Sequence, residues 1–200
     1  CVINSMHTDV PNHPQAFMML HTGEFRFTRP SAGSWVLYGL GTENQDLPGF
    51  VTISPTNNLG GAQNYSSAFL PAIYQGTPLG REGQRAEAAG IGNLEAKHLP
   101  GTLQRQQLDF VQNLNKDLLA RKEVNAELEG VIESYELAFR MQGALPDVLD
   151  LNDESKATKE LYGIGSGGGA DNFGRQCLMA RRLAEAGVRF IEITHGNWDQ

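Results

Sequence analysis

Two cysteines, Cys1 and Cys177, are too few for a disulfide framework. Cys177 falls on the apolar side of a predicted helix and reads as a plain buried thiol. No run approaches the length of apolar residues that a membrane span needs. No Lys/Arg cluster tracks along the chain, and 23 acidic residues outnumber 16 basic ones for a formal net charge of -7. Both facts argue against a nucleic-acid reader, which needs a basic stripe. There is no CxxC pair, HExxH, GxSxG or phosphate-binding loop. No signal peptide is visible, although the chain starts at Cys1 and not at Met. At 200 residues and 40% hydrophobic, the chain can bury one sizeable core.

The polar stretch SMHTDVPNHPQAFMMLHTG, Ser5 to Gly23, follows the apolar run Cys1-Val2-Ile3 and holds three of the five histidines. The run reads as a strand end. Asn12 starts a helix with Pro14 in its first turn, where the missing N–H costs nothing, and Gly23 closes it. His21 then sits at the helix C-terminus, where the dipole favours it. Trp35 to Tyr38 reads as a short helix, and Phe50 to Ile53 as a strand. Residues 56–101 are rich in Gly and Pro and far longer than an ordinary connection. Two helices follow. The first, Leu103 to Arg121, carries Leu108, Val111, Leu114 and Leu118 on one face. The second, Val124 to Gln142, carries Leu128, Val131, Ile132, Tyr135, Ala138 and Phe139, and Pro146 blocks its continuation. Ser155 caps a short helix over Lys156 to Tyr162.

The glycine run at 163–169 contains G-x-G-x-x-G, but a helical stretch precedes it where a dinucleotide fingerprint needs a strand. It reads as a flexible linker. Asp171 or Asn172 can cap the last helix, which runs to Ala186 and stops at Gly187. The strand Val188 to Ile193 follows. This succession predicts an α/β fold with a mostly parallel sheet flanked by helices, with residues 1–200 part of a single domain.

Two polar segments leave strand ends, Ser5–His13 and Thr194–Asp199. Parallel strands put such tips on one edge of the sheet, where ligands collect. A divalent metal there would draw on His7, Asp9, His13, His195 and Asp199, and Thr8 or Ser5 could serve as a metal-activated nucleophile. Asn12 is either a helix cap or a donor to a substrate oxygen.

The motifs SMHTDVPNHPQAF, PSAGSWVLYGLG, ENQDLPGFVTI, ESYELAFRMQ and FGRQCLMARRLAEAGVRFIEITHGNWDQ span nearly all of the chain. On them it resembles an uncharacterised bacterial sulfatase-like family of the alkaline phosphatase superfamily. The resemblance implies an alkaline-phosphatase-like fold, incomplete here because the chain would be an interior fragment whose upstream and downstream parts complete the site. It implies metal-dependent hydrolysis of a phosphate or sulfate ester, small-molecule or glycan, with Thr8 attacking and Asn12 holding a non-bridging oxygen. Asp9, His195 and Asp199 would contribute to the metal site. Zinc is the first choice of metal, with calcium or magnesium if the site is carboxylate-rich. It also implies a periplasmic or secreted location. A more distant likeness to nucleotide pyrophosphatase/phosphodiesterases aligns Pro11-Asn12-His13 and Thr22-Gly23, and puts Asp9, with Thr8 beside it, at the nucleophile position. The other readings are a metal-dependent phosphomutase and a non-catalytic exported binding protein on the same fold.

Overall fold

The structure, a computed structural model, describes residues 4–90, 99–121 and 126–196. The expected strand at Cys1-Val2-Ile3, together with His98, Trp198 and Asp199, lies outside the described residues. Six α-helices and three short strands make up the rest: α1 (His13–Thr22), α2 (Ala32–Leu40), β1 (Phe50–Ile53), β2 (Thr77–Leu79), α3 (Gly101–Arg121), α4 (Ala126–Leu149), α5 (Lys156–Leu161), α6 (Gly168–Glu185) and β3 (Phe190–Ile193). The chain is therefore helical for the most part. Its sheet is small, open and wholly parallel, in the order β2-β1-β3. This corrects the alkaline-phosphatase-like expectation. The long stretch after β1 forms three short 3-10 turns at Gly61–Tyr65, Ala72–Tyr74 and Ala86–Ala88, and only β2 adds to the sheet there.

Every residue of β1 is buried, as a central parallel strand requires. Val51, Ile53, Leu79, Ile191 and Ile193 face one side, where Met179 and Leu183 of α6 and Met141 and Leu145 of α4 complete the core. On the other side the Phe50 and Phe190 rings meet edge to face at 5.1 Å. Helix α2 comes close here because Gly33 has no side chain: a Cβ would stand 2.6 Å from the Phe50 ring. A Cβ on Gly76 would meet the same ring at 2.7 Å.

The caps explain the helix limits. Asn12 Oδ1 accepts the Gln15 N–H at 3.1 Å, and Gly23 at φ 71° closes α1. Ser31 caps α2, which is longer than the Trp35–Tyr38 turn expected. Helix α6 begins at Gly168, three residues before its expected cap. There Asp171 accepts the Gly165 N–H and pairs with Arg175, so the carboxylate organises the preceding turn from within the helix. Gly187 at φ 91° ends it, with Val188 N–H bonded back to the Leu183 carbonyl.

Helix α4 departs most from expectation, because it runs through Pro146 to Leu149. An interior proline costs about 3 kcal/mol. Fully burying Leu145 and packing Val148 and Leu149 on the core offsets that, each large side chain contributing about 1.5–3 kcal/mol when fully buried. The core-facing stripe is accordingly Leu137, Met141, Leu145 and Val148. The stripe read from the sequence lies elsewhere, and its Val131 and Tyr135 are exposed. Helix α3 likewise meets α4 through polar contacts. Arg105 bridges Glu136 and Asp109, and Gln112 donates to the Ile132 carbonyl at 2.8 Å. Its Val111, Leu114 and Leu118 remain exposed.

Candidate functional site

The carboxyl edge of the sheet is where the sequence places its chemistry. Ser54 N–H bonds to the Leu79 carbonyl and Thr194 N–H to the Ile53 carbonyl, so the three strand ends lie side by side. Glu82 N–H reaches the Pro55 carbonyl, and its carboxylate stands 3.0 Å from where a Cβ on Gly196 would be. The His195 ring packs against Phe173 of α6 at 4.9 Å. One turn along α6, buried Gln176 donates from Nε2 to Ser54 Oγ at 2.8 Å, and its Oε1 has no partner. Ser54 holds a left-handed φ of 53°, an arrangement that costs a non-glycine residue about 1–2 kcal/mol. The edge thus holds a strained serine and a half-satisfied amide, neither of which a sequence motif announces.

Thr8, Asp9 and Asn12 are exposed in the turn before α1. The Thr8 hydroxyl accepts the Val10 N–H at 3.4 Å. The Asn12 side chain is occupied as a cap, accepting from Gln15 N–H and donating to Gln15 Oε1 at 2.8 Å. His195 does lie at the β3 end. Among the described residues no group of three or more His, Cys, Asp or Glu side chains could hold a metal ion. His21 proves to be a tie between layers: Nδ1 meets the Phe17 carbonyl at 2.7 Å and Nε2 meets Glu192 at 2.8 Å. Burial alone would lower its pKa, but the hydrogen bond and charge of Glu192, with the Phe17 carbonyl, outweigh it and hold the imidazole above 6.5. Cys177 is a free thiol whose pKa burial pushes up, which leaves it a poor nucleophile.

A preformed concavity lies elsewhere, between α2, the 41–49 loop and α4. It encloses about 480 Å³. Leu37, Leu47, Ile73, Tyr74, Ile132 and Leu137 form apolar walls, and Thr42, Gln45, Glu133, Glu136 and Arg140 supply polar groups. Asn44 shapes the loop wall. Its Oδ1 accepts the N–H groups of Asp46 and Leu47, and its Nδ2 donates to the Ala186 carbonyl. Gly49 lets that wall close on α2, since a Cβ there would stand 2.6 Å from Leu37. Glu136 is held below the usual carboxylate range by its hydrogen bond to Arg105, against an opposing contribution from burial. Arg140 donates to the Gln45 carbonyl at 2.7 Å and lies 3.6 Å from Asp46. Both charges are thus engaged within the protein, and the walls offer a ligand mainly apolar surface.

The sequence profile of one family matches residues 1–200, and its description is "Protein of unknown function". The chain belongs to the DUF1501 family. No curated protein and no solved structure matches it. Membership in DUF1501 corrects the sulfatase-like, alkaline-phosphatase-superfamily assignment. Together with the lack of a metal cluster among the described residues, it also removes the basis for phosphate- or sulfate-ester hydrolysis and for a phosphomutase. No helix among the described residues of this DUF1501 chain is long and apolar enough to cross a membrane.

Proposed function

We propose that the protein binds a small, uncharged and largely apolar molecule in the cleft between α2 and α4. One observation carries this reading: a preformed cavity of about 480 Å³ with apolar walls, in whose lining the charges of Glu136 and Arg140 are already paired. Ligand sites are commonly concavities of this kind, with a few polar groups fixing orientation. An anionic ligand would have to displace the contacts that Arg140 already makes with Gln45 and Asp46, whereas a neutral one only displaces water. The exposed carboxylate of Glu133 can accept from a hydroxyl or amide on the ligand.

A titration with Nile red, a neutral solvatochromic dye, tests the reading. Saturable binding near one dye per chain is expected, with loss of at least tenfold in affinity in Ile132→Trp, which narrows the cleft. Absence of saturable binding, or binding that Ile132→Trp leaves unchanged, would overturn it.

A further inference from the structure

Outside the cleft, four aromatic rings run in single file over α2 and the turns after β1. Phe69 meets Trp35 at 6.0 Å, Trp35 meets Tyr38 at 5.9 Å, and Tyr38 meets Tyr74 at 5.5 Å, each pair edge to face. Three of them are well exposed: Phe69 by 63%, Trp35 by 46% and Tyr38 by 55%. These rings belong to segments 30–42 and 47–80, which contain no Asp, Glu, Lys, Arg or His in a chain that is 20% charged. At the Tyr74 end, Glu133 of α4 shares the cleft lining with that ring.

We propose that this aromatic file is a binding surface for a neutral polysaccharide. The hydrogens on the face of a pyranose ring carry partial positive charge and pack on the negative face of an aromatic ring. The hydroxyls around its rim need polar partners, and Tyr38, Tyr74 and the exposed Gln75 amide are placed to supply them. Edge-to-face packing holds each ring against its neighbour, so little side-chain freedom is left to lose on binding. The lack of charge argues against an acidic polymer or a charged peptide, which would find no counter-ion here. Size argues against a second copy of the chain. At 150–250 Å² per aromatic side chain, the exposed parts of these rings amount to roughly 300–400 Å², about half of what each partner of a stable dimer buries. The inference is independent of the cleft reading, with which it shares only Tyr74.

Affinity electrophoresis of the protein through gels containing a neutral polysaccharide (hydroxyethylcellulose, xylan, glucomannan or laminarin) or an anionic one (alginate, heparin) tests it. Retardation by at least one neutral polymer, unchanged in 0.5 M NaCl, is expected. Trp35→Ala and Tyr38→Ala should each weaken it at least tenfold. Since Trp35 could contribute to folding, Trp35→Phe serves beside it and should retain part of the retardation. Failure of every neutral polymer to retard the protein would overturn the proposal. So would retardation by anionic polymers alone, or retardation that the Trp35 and Tyr38 variants leave intact.

Discussion

Thr52 sits at the centre of β1, fully buried, and its hydroxyl has no hydrogen-bond partner. An unmet buried hydroxyl costs about 1–3 kcal/mol, and an apolar group of the same shape removes that cost. Thr52→Val should therefore raise stability by about 1 kcal/mol in denaturant unfolding; a loss of that size would show that the hydroxyl is satisfied. Glu192 is the register partner of Thr52 on β3 and shares its face of the sheet. There both nitrogens of His21 face oxygen acceptors, so the imidazolium fits the site better than either neutral tautomer. Its folded pKa lies above the unfolded value of 6.5, so the contribution of this pair is whole below that pH. It is lost as pH rises through the folded pKa. The melting temperature should fall as the pH is raised from about 6 to about 9, and Glu192→Gln should flatten that dependence. A wild-type profile that is flat or rises through this range would contradict the assignment.

Helix α6 anchors the fold because it meets the sheet on one side and the α5 turn on the other. Gly174 makes the second contact possible: a Cβ there would stand 1.9 Å from the Tyr162 carbonyl oxygen, a backbone atom that cannot rotate away. Gly174→Ala should cost about 1–3 kcal/mol, although alanine is the better helix former. A neutral or stabilising result in thermal unfolding would mean that the α5 turn is free to shift. Elements defined by local chemistry were legible in the sequence. Asn12 and Gly23 bracket α1, Ser155 caps α5, and the run Phe50 to Ile53 is β1. Elements decided by tertiary packing were not. Pro146 reads as a stop, yet burial of Leu145 beside it carries α4 onward. The side of α4 that faces the core was misread because an apolar stripe shows which residues could be buried, whereas here the sheet takes Leu137, Met141 and Leu145. The Gln176–Ser54 pair at the strand edge joins residues 122 apart in the chain, and no local pattern announces it.

The molecule layers helices on both faces of a three-stranded parallel sheet, and the cleft and the aromatic file lie on its surface. The cleft was invisible in the sequence because its walls come together only on folding; Arg140 bonds to the Gln45 carbonyl across 95 positions. Its loop wall hangs on Asn44, whose side chain joins the 41–49 loop to the end of α6. The chemically suggestive residues Thr8, Asp9 and Asn12 lie in an exposed turn. The most direct measurement is therefore a map of amide chemical shifts during a titration with Nile red or a ligand found by its displacement. The account predicts that the largest shifts cluster in Thr42–Gly49 and in α4 from Ile132 to Arg140. Shifts confined to the sheet edge at Ser54, Gln176 and Thr194–Gly196, with the cleft amides unmoved, would contradict it.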